Sequence, residues 1–448
     1  QLNGKSQFKM KETNRRDFLK AGVGAAAAFT VVPRHVLGGP GVTPPSEKLN
    51  LAVIGVGGKG FDNVRNFGDQ NIVALCDVDD HLAADAFRMF PKAARYHDYR
   101  GMLDKEKSID AVIVSTPNHT HIPISVMAMR LGKHVYCEKP LGNNVHEVRV
   151  AAQVAEETGA VTQMGNSAHS GMNYRGVARM IQEGIIGEVR EVHCWCEKAW
   201  APGDRPAPMA VPSHLDWNLW LGPAPERPYN RCYHPKAWRN WWDFGAGRLG
   251  DMGCHILDLP FQALNLKYPT TVSADGPRPA HPESAPPWMI CKWTFPKRGD
   301  KPPVELTWYD GDKRTPMHKQ YQIPVWPPED LGTIFVGSEG ILAAGYSRFK
   351  LYPEEKYKGV RLAKVPRLHS HYMEWTEACK TDDPKRPGTH FGYSGPLTET
   401  VLLGTVAFRA GNKLEWNAEN LDITNDPEAN RFIRRTNRKG WEIEGGMI

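Results

Sequence analysis

The residues Leu49 to Gly60 constrain the fold more than any other stretch. Leu-Asn-Leu-Ala-Val-Ile is an apolar run of strand length, and Gly-Val-Gly-Gly-Lys-Gly follows it directly. Gly55, Gly57 and Gly60 fit the spacing G-x-G-x-x-G, with Gly58 and Lys59 completing the turn. In such a turn the first glycine permits the tight bend. The second lets backbone amides approach a pyrophosphate, and the third lets the next helix pack close to the strand. Glycine spacing alone is a weak signal in a chain with 42 glycines. Here an apolar strand precedes it, and Phe61 to Phe67 can start a helix whose N-terminus faces the phosphates. A second apolar run, Ile72 to Cys76, ends in Asp77. A carboxylate at that point accepts hydrogen bonds from an adenosine ribose and repels a 2′-phosphate, which predicts NAD rather than NADP.

The pattern then repeats. Ile109 to Thr116 is an apolar, β-branched strand that opens onto Pro117-Asn-His-Thr-His121. Ile122 to Leu131 reads as a crossover helix, His134 to Pro140 as a strand with its exit, Val145 to Thr158 as a helix and Val161 to Gly165 as a short strand. Alternating strands and helices predict a doubly wound parallel sheet. Ligands bind such sheets beyond the carboxyl ends of the strands, which brings Ser115, Thr116, Asn118 and His121 to the crevice. After about residue 170 the rhythm changes. Tyr174 to Glu183 reads as a helix and Glu188 to Trp200 as a strand with one exposed face. Residues 201–247 form a Pro- and Trp-rich excursion, and Leu249 to Leu266 reads as a helix. Strand-like segments near 271–275, 288–295, 303–309, 333–337 and 341–344 predict a mainly antiparallel sheet, closed by helices near 371–380 and 396–410.

The 448 residues lead us to expect two domains. The formal charge of +6 is concentrated at the front, where seven basic and two acidic residues within 1–38 supply +5 of it. The remainder carries no basic stripe of the kind that binds nucleic acid. Asn14-Arg-Arg-Asp-Phe-Leu-Lys20 is similar to a twin-arginine export motif. The alanine-rich run Ala21 to Val32 is too short for a stable membrane span, and Val36-Leu-Gly38 offers small residues for cleavage. Residues 1–38 are therefore read as a twin-arginine signal and 39–48 as a linker. Periplasmic or otherwise exported localisation follows as an expectation. The eight cysteines show no C-x-x-C and are read as structural. His119-x-His121 and His369-x-His371 lack a carboxylate or cysteine at ligand spacing, so no metal is expected.

Six short segments, in order, carry a resemblance to the Gfo/Idh/MocA superfamily. They are Gly55 to Gly60, Ser115 to His119, Glu138-Lys-Pro140, Gly184 to Glu188, Gly250 to His255 and Val336 to Gly340. The resemblance implies a Rossmann domain (49–170), then an α+β domain (171–448) built on a large open-faced, mainly antiparallel sheet. It also implies an active site between them and assembly as a homodimer or homotetramer. Lys139 follows a buried strand at the crevice, where a lysine can hold a substrate hydroxyl. Asp251 and His255 are spaced i, i+4 and so share a helix face. Oxidation at a hydroxyl-bearing carbon needs a base for the hydroxyl proton, and histidine suits that task. The resemblance makes His255 the base, Lys139 the positioning group and Asp251 a partner for a neighbouring hydroxyl. Glu138 is expected on the nicotinamide side.

Seven of the 14 tryptophans lie between residues 195 and 242. Flat C–H faces of sugars stack on such rings, although most large aromatics are packing residues. Arg239, Trp241 and Trp242 precede the catalytic helix and are expected over the substrate, with Asn166, His169 and Tyr174 at its edge. The expected activity is NAD-dependent oxidation of a hydroxyl of a sugar, glycoside or polyol. Free NAD is scarce outside the cytoplasm, so an exported enzyme should hold and recycle its cofactor. The second reading is a redox-neutral glycosidase that oxidises, eliminates, hydrates and reduces again. It needs a second base, for which Tyr174, His169 and Tyr233 are candidates. A non-catalytic sugar-binding relative is a third reading, opposed by the presence of Lys139, Asp251 and His255.

Overall fold

The computed structural model describes residues 44, 47–198, 204–323, 331–368 and 370–443. The twin-arginine segment, most of the linker, Trp200 and His369 lie outside the described residues.

The first sheet is six-stranded and wholly parallel. Its strands are β1 (Asn50–Ile54), β2 (Asn71–Cys76), β3 (Ala94–Tyr96), β4 (Ala111–Val114), β5 (His134–Cys137) and β6 (Thr162–Met164), in spatial order β3-β2-β1-β4-β5-β6. The order reverses beside β1, which is where a doubly wound sheet opens its crevice. Helices α1 (Lys59–Asn66), α2 (Asp80–Met89), α3 (Tyr99–Lys105), α4 (Asn118–Arg130) and α5 (Val145–Thr158) connect the strands. β1 and β4 are buried along nearly their full length, which explains their unbroken apolar runs.

Helix α4 starts four residues earlier than its apolar pattern indicates. Asn118 to His121 are its first turn rather than an exit loop. Pro123 lies inside it and has no N–H to give the carbonyl of His119. Arg435 fills that gap, donating from Nη2 to His119 O at 2.6 Å.

Helix α6 (Met172–Gln182) leads into the second sheet, which has nine strands in the order β13-β12-β11-β7-β10-β9-β8-β14-β15. Its members are β7 (Val189–Cys196), β8 (Thr271–Asp275), β9 (Ile290–Phe295), β10 (Val304–Asp310), β11 (Leu331–Gly337), β12 (Ile341–Ala344), β13 (Phe349–Tyr352), β14 (Leu414–Asn417) and β15 (Asp422–Ile423). All its pairs are antiparallel except β7 with β10. Cys194 and Cys196 share a buried face of β7, as their spacing indicates.

The excursion carries α7 (Trp217–Leu221). The single helix read over 249–266 is two, α8 (Gly247–Ile256) and α9 (Asp258–Leu264). Pro260 cannot donate to Ile256 O, which is instead within 3.5 Å of the Thr333 hydroxyl. Helices α10 (His371–Thr381) and α11 (Phe391–Ala410) return to the first sheet. Trp375, Ala378 and Cys379 of α10 pack with Leu51, Val53 and Tyr136. Residues 49–448 accordingly form one compact unit by contact, with the two sheets sharing a continuous core.

Candidate functional site

A cavity of about 360 Å³ opens at the carboxyl ends of the parallel strands. Gly55, Gly57, Gly58 and Lys59 line it from the turn after β1. Asp77 and Val78 contribute from β2, Asp98 and Tyr99 from β3, Ser115 to Asn118 and His121 from β4 and α4, and Glu138 and Lys139 from β5.

The turn is built for close approach. Gly55 has φ +78°, and a Cβ there would lie 2.8 Å from the backbone of Ser115. A Cβ on Gly60 would lie 1.8 Å from Gly55 O, so only glycine lets α1 pack this tightly. Gly60 thus shapes the cavity from behind rather than lining it. Gly58, at φ +52°, has open space where its side chain would be. Gly58 and Lys59 stand at the start of α1, where helix geometry leaves amides without intrahelical partners. A bare glycine turn leading into a helix N-terminus fits a pyrophosphate.

Asp77 has an additional task that sequence reading did not give it. Its Oδ2 accepts from Val56 N at 2.8 Å and Gly57 N at 3.3 Å, and its Oδ1 accepts from Asp79 N at 3.0 Å. The carboxylate clamps the glycine turn to the end of β2 while facing the cavity. Burial raises its pKa against the opposing effect of those amides. Asp98 is a second carboxylate at this end, already paired with Arg100 at 2.7 Å.

Glu138 is buried and accepts from Asn63 Nδ2 at 2.9 Å, with Lys59 Nζ at 4.0 Å. His121 lies between Thr116 O at 2.7 Å and Pro140 O at 2.8 Å. Burial lowers its pKa to about 4 despite those carbonyls, and a neutral ring donates to one of the two.

Lys139 and Asp251 line the cavity, and His255 stands one turn along α8 from Asp251 without lining it. Lys139 Nζ donates to Asp251 Oδ1 and to Asp251 O, each at 2.9 Å. Arg239 Nε donates to the same Oδ1 at 3.1 Å, and its guanidinium lies 4.3 Å from the ring centroid of Trp238. Burial raises the Asp251 pKa, but Lys139 and Arg239 outweigh it and bring the pKa below the ordinary carboxylate value. His255, one turn along α8, is held neutral with a pKa of about 3, first by burial and then by Lys139. Its Nδ1 meets Asn166 Oδ1 at 3.0 Å.

Several expected substrate residues have other positions. His169 is buried against Asp258, Nδ1 to Oδ1 at 2.9 Å, and Tyr393 donates to that oxygen at 2.8 Å. Tyr174 is buried and donates from its hydroxyl to His255 O at 3.1 Å. Tyr233 packs within the aromatic cluster of the excursion. None of these three candidate second bases lines the cavity. Trp241 donates to Cys232 O at 2.8 Å, and Trp242 lies against Phe408, so both are packing residues. Burial of rings with satisfied N–H groups is the usual outcome for tryptophan.

The aromatic rings that do line the cavity are Tyr99, Trp220, Trp238 and Trp441. Trp220 and Trp238, with His234 and Lys236, roof the cavity from the excursion. Asp79 holds that roof down. It accepts from His234 Nε2 at 2.7 Å and His214 Nδ1 at 2.9 Å, while also capping α2 through the amides of His81 and Leu82. Burial would raise its pKa, but the His234 hydrogen bond and the Leu82 amide lead the effects that bring it to about 2. His119 adds a further tie, Nε2 to Trp220 O at 2.9 Å. The tail pins the other side. Arg435 pairs in a fork with Glu147 at 2.8 Å, Arg438 donates to Gly222 O at 2.8 Å, and Arg100 stacks over Trp441 at 4.3 Å. Asp79 carried only a cap-like signature in sequence, and its two histidines lie 135 and 155 residues away.

Comparison with known proteins agrees with this geometry. Residues 49–166 match the oxidoreductase family with an NAD-binding Rossmann fold, and residues 172–300 match its C-terminal alpha/beta domain. A glycosyl hydrolase family 109 protein from Shewanella pealeana is 31% identical over 202 residues, 39% of this chain and 44% of that protein. The match thus spans less than half of that relative's length. The WlbA dehydrogenase from Bordetella pertussis, solved with NADH and UDP-GlcNAcA, aligns with TM-score 0.59 at 16% identity, over 83% of this chain and 99% of that one. An aldose-aldose oxidoreductase from Caulobacter crescentus, complexed with glycerol, aligns with TM-score 0.54 at 17% identity, over 82% of this chain and 97% of that one. At these identities the structural likeness speaks for the fold.

Proposed function

Because this chain belongs to the Gfo/Idh/MocA family of NAD-binding oxidoreductases, we propose that it oxidises a hydroxyl-bearing carbon of a sugar, glycoside or polyol and retains its NAD between turnovers. The observation that carries this reading is Lys139 bonded to Asp251 in the wall of the glycine-turn cavity, with His255 one turn along α8 from Asp251. When bound, NAD supplies the hydride acceptor that the oxidation needs. The chain's own residues supply the rest. Lys139 and Asp251 hold the reacting and neighbouring hydroxyls, and neutral His255 takes the hydroxyl proton. Lys139 stays oriented by two oxygens of one residue, which limits the reorganisation needed when substrate arrives.

A redox-neutral glycosidase cycle is the second reading. Two observations favour it: the relatives named glycosyl hydrolase family 109, and the roof of excursion and tail over the cavity, which suits a cofactor that is not exchanged. Export by the twin-arginine route to the periplasm and assembly as a homodimer or homotetramer complete the proposal. A cofactor trapped before export is consistent with both.

Denaturing the purified protein without added cofactor should release about one dinucleotide per chain. Glycosides are then screened for hydrolysis and for deuterium uptake beside the oxidised carbon. Deuterium uptake with glycoside hydrolysis and no net NADH selects the second reading, and conversion of the bound NAD to NADH, up to one per chain, without hydrolysis selects the first. His255→Ala should abolish turnover and leave NAD bound; unchanged turnover would remove His255 from the mechanism.

A further inference from the structure

We propose that Asn166 is the residue that positions His255, fixing the imidazole with its proton on Nδ1 and leaving Nε2 as the basic nitrogen. This rests on His255 being the base of the proposed reaction.

The argument starts from donors and acceptors. Asn166 is fully buried, so each amide atom must be satisfied within the protein. Its Nδ2 donates to Cys254 O at 3.0 Å. A backbone carbonyl only accepts, so the nitrogen of the Asn166 amide is the atom facing it. The other amide atom, Oδ1, is then the one 3.0 Å from His255 Nδ1. A side-chain carbonyl oxygen also only accepts, so Nδ1 carries the hydrogen. A neutral imidazole has a single N–H, and Nε2 is left with a lone pair. Turning the amide over would set oxygen against the Cys254 carbonyl, so the arrangement has one consistent solution.

The support on both sides is rigid. Asn166 N donates to Met164 O at 2.7 Å and Asn166 O accepts from His169 N at 3.0 Å, which locks the loop after β6. Cys254 and His255 are neighbours on α8, and Tyr174 donates to His255 O from the other side. The charged groups whose fields reach the ring are Lys139, Asp251, Lys198 and Lys59. The carboxylate among them, Asp251, is committed to Lys139 and Arg239. The orienting partner of His255 is therefore a neutral amide. A carboxylate in that place stabilises the imidazolium and holds the proton. An amide orients the ring without holding the proton, which suits a base that must release it before the next turnover.

The test uses the full-length protein with its cofactor, labelled with ¹⁵N-histidine. His255 is assigned by difference against His255→Gln. At neutral pH we expect a protonated Nδ1 and a pyridine-like Nε2. The opposite tautomer, or a doubly protonated ring, overturns the proposal whether or not a sugar is turned over. Conversely, failure to find a substrate would count against the proposed function and leave the tautomer standing. In Asn166→Asp the new carboxylate should raise the His255 pKa by about 1–3 units. The acid limb of the kcat/KM profile should move with it, a shift that a purely structural role does not produce. An unmoved limb in a folded Asn166→Asp protein also overturns the proposal. If that variant does not fold, the wild-type spectrum decides alone.

Discussion

Asp79→Ala tests whether the roof governs cofactor release. The Asp79 carboxylate is 2% exposed and accepts from His214, His234 and two helix-start amides. Its pKa falls from 3.8 to about 2. At 1.36 kcal/mol per unit, that difference corresponds to about 2 kcal/mol held by the ionised group. About 1 kcal/mol of that belongs to the α2 cap, since the Leu82 amide is among the groups that lower the pKa. The cap acts on α2, but the histidine bonds act on the roof. If the remaining ~1 kcal/mol of roof closure is lost and NAD leaves through it, release should accelerate about 5-fold. Asp79→Asn, which retains an acceptor oxygen but no charge, should fall between that and wild type. Release is measured by loading the protein with NADH, adding a scavenging dehydrogenase and following fluorescence, with thermal melts in parallel. A variant that melts lower yet releases NADH at the wild-type rate would refute the roof as a gate. The sign with pH follows from a folded pKa below the unfolded one. The contribution is complete above about pH 4 and disappears as pH falls through about 2.

Other measurements bear on separate parts of the structure. Arg435→Ala strands Glu147, whose side chain is 4% exposed, and should cost about 3–5 kcal/mol in denaturant unfolding. Adding Glu147→Gln should recover part of that loss, and a cost under about 1 kcal/mol would contradict the pairing. Gly60→Ala forces a Cβ against Gly55 O and should cost about 1–3 kcal/mol. It should also remove the rise in melting temperature that added NAD gives the wild type; a retained rise would contradict the close-packing account. Burial raises the pKa of all eight thiols, and only Cys232 is not buried. The native protein should therefore consume at most one equivalent of a thiol reagent at neutral pH, and the denatured protein eight.

Local chemistry was readable where one segment carries its own signal. The glycine turn, the helix Val145–Thr158 and the strand Ile341–Ala344 each follow from spacing and apolar pattern within a few residues. The i, i+4 relation of Asp251 and His255 likewise placed them on one helix face. Short strands at or next to the sheet edges escaped notice for a physical reason. Ala94–Tyr96, Phe349–Tyr352, Leu414–Asn417 and Asp422–Ile423 are two to four residues long and have little alternation to detect. The split at Leu257 was missed because the apolar face of α8 continues through α9, and only Pro260 hints at the break. Trp241 and Trp242 were drawn toward substrate by their position just before the motif helix, and Asn166, His169 and Tyr174 by theirs after the strand read as ending at Gly165. The structure gives Asn166 to His255 and the others to packing or buried pairs, because burial makes each polar atom seek the nearest partner. The roof was illegible altogether. Its ties join Asp79 to His234, Arg435 to Glu147 and Arg438 to Gly222, and no local pattern records partners so far apart.

The tail also sets an order of events during biosynthesis. Arg435 reaches back 288 residues to Glu147, and Arg130 donates to Ile443 O across 313. A nascent chain can therefore pair its six parallel strands, and even bend its glycine turn, long before Trp441 exists. During that interval the cavity lacks the wall that Trp441 supplies. The wall can close only once residues 435–443 have cleared the ribosome. For a retained cofactor, translation would thus provide a loading window before the wall forms.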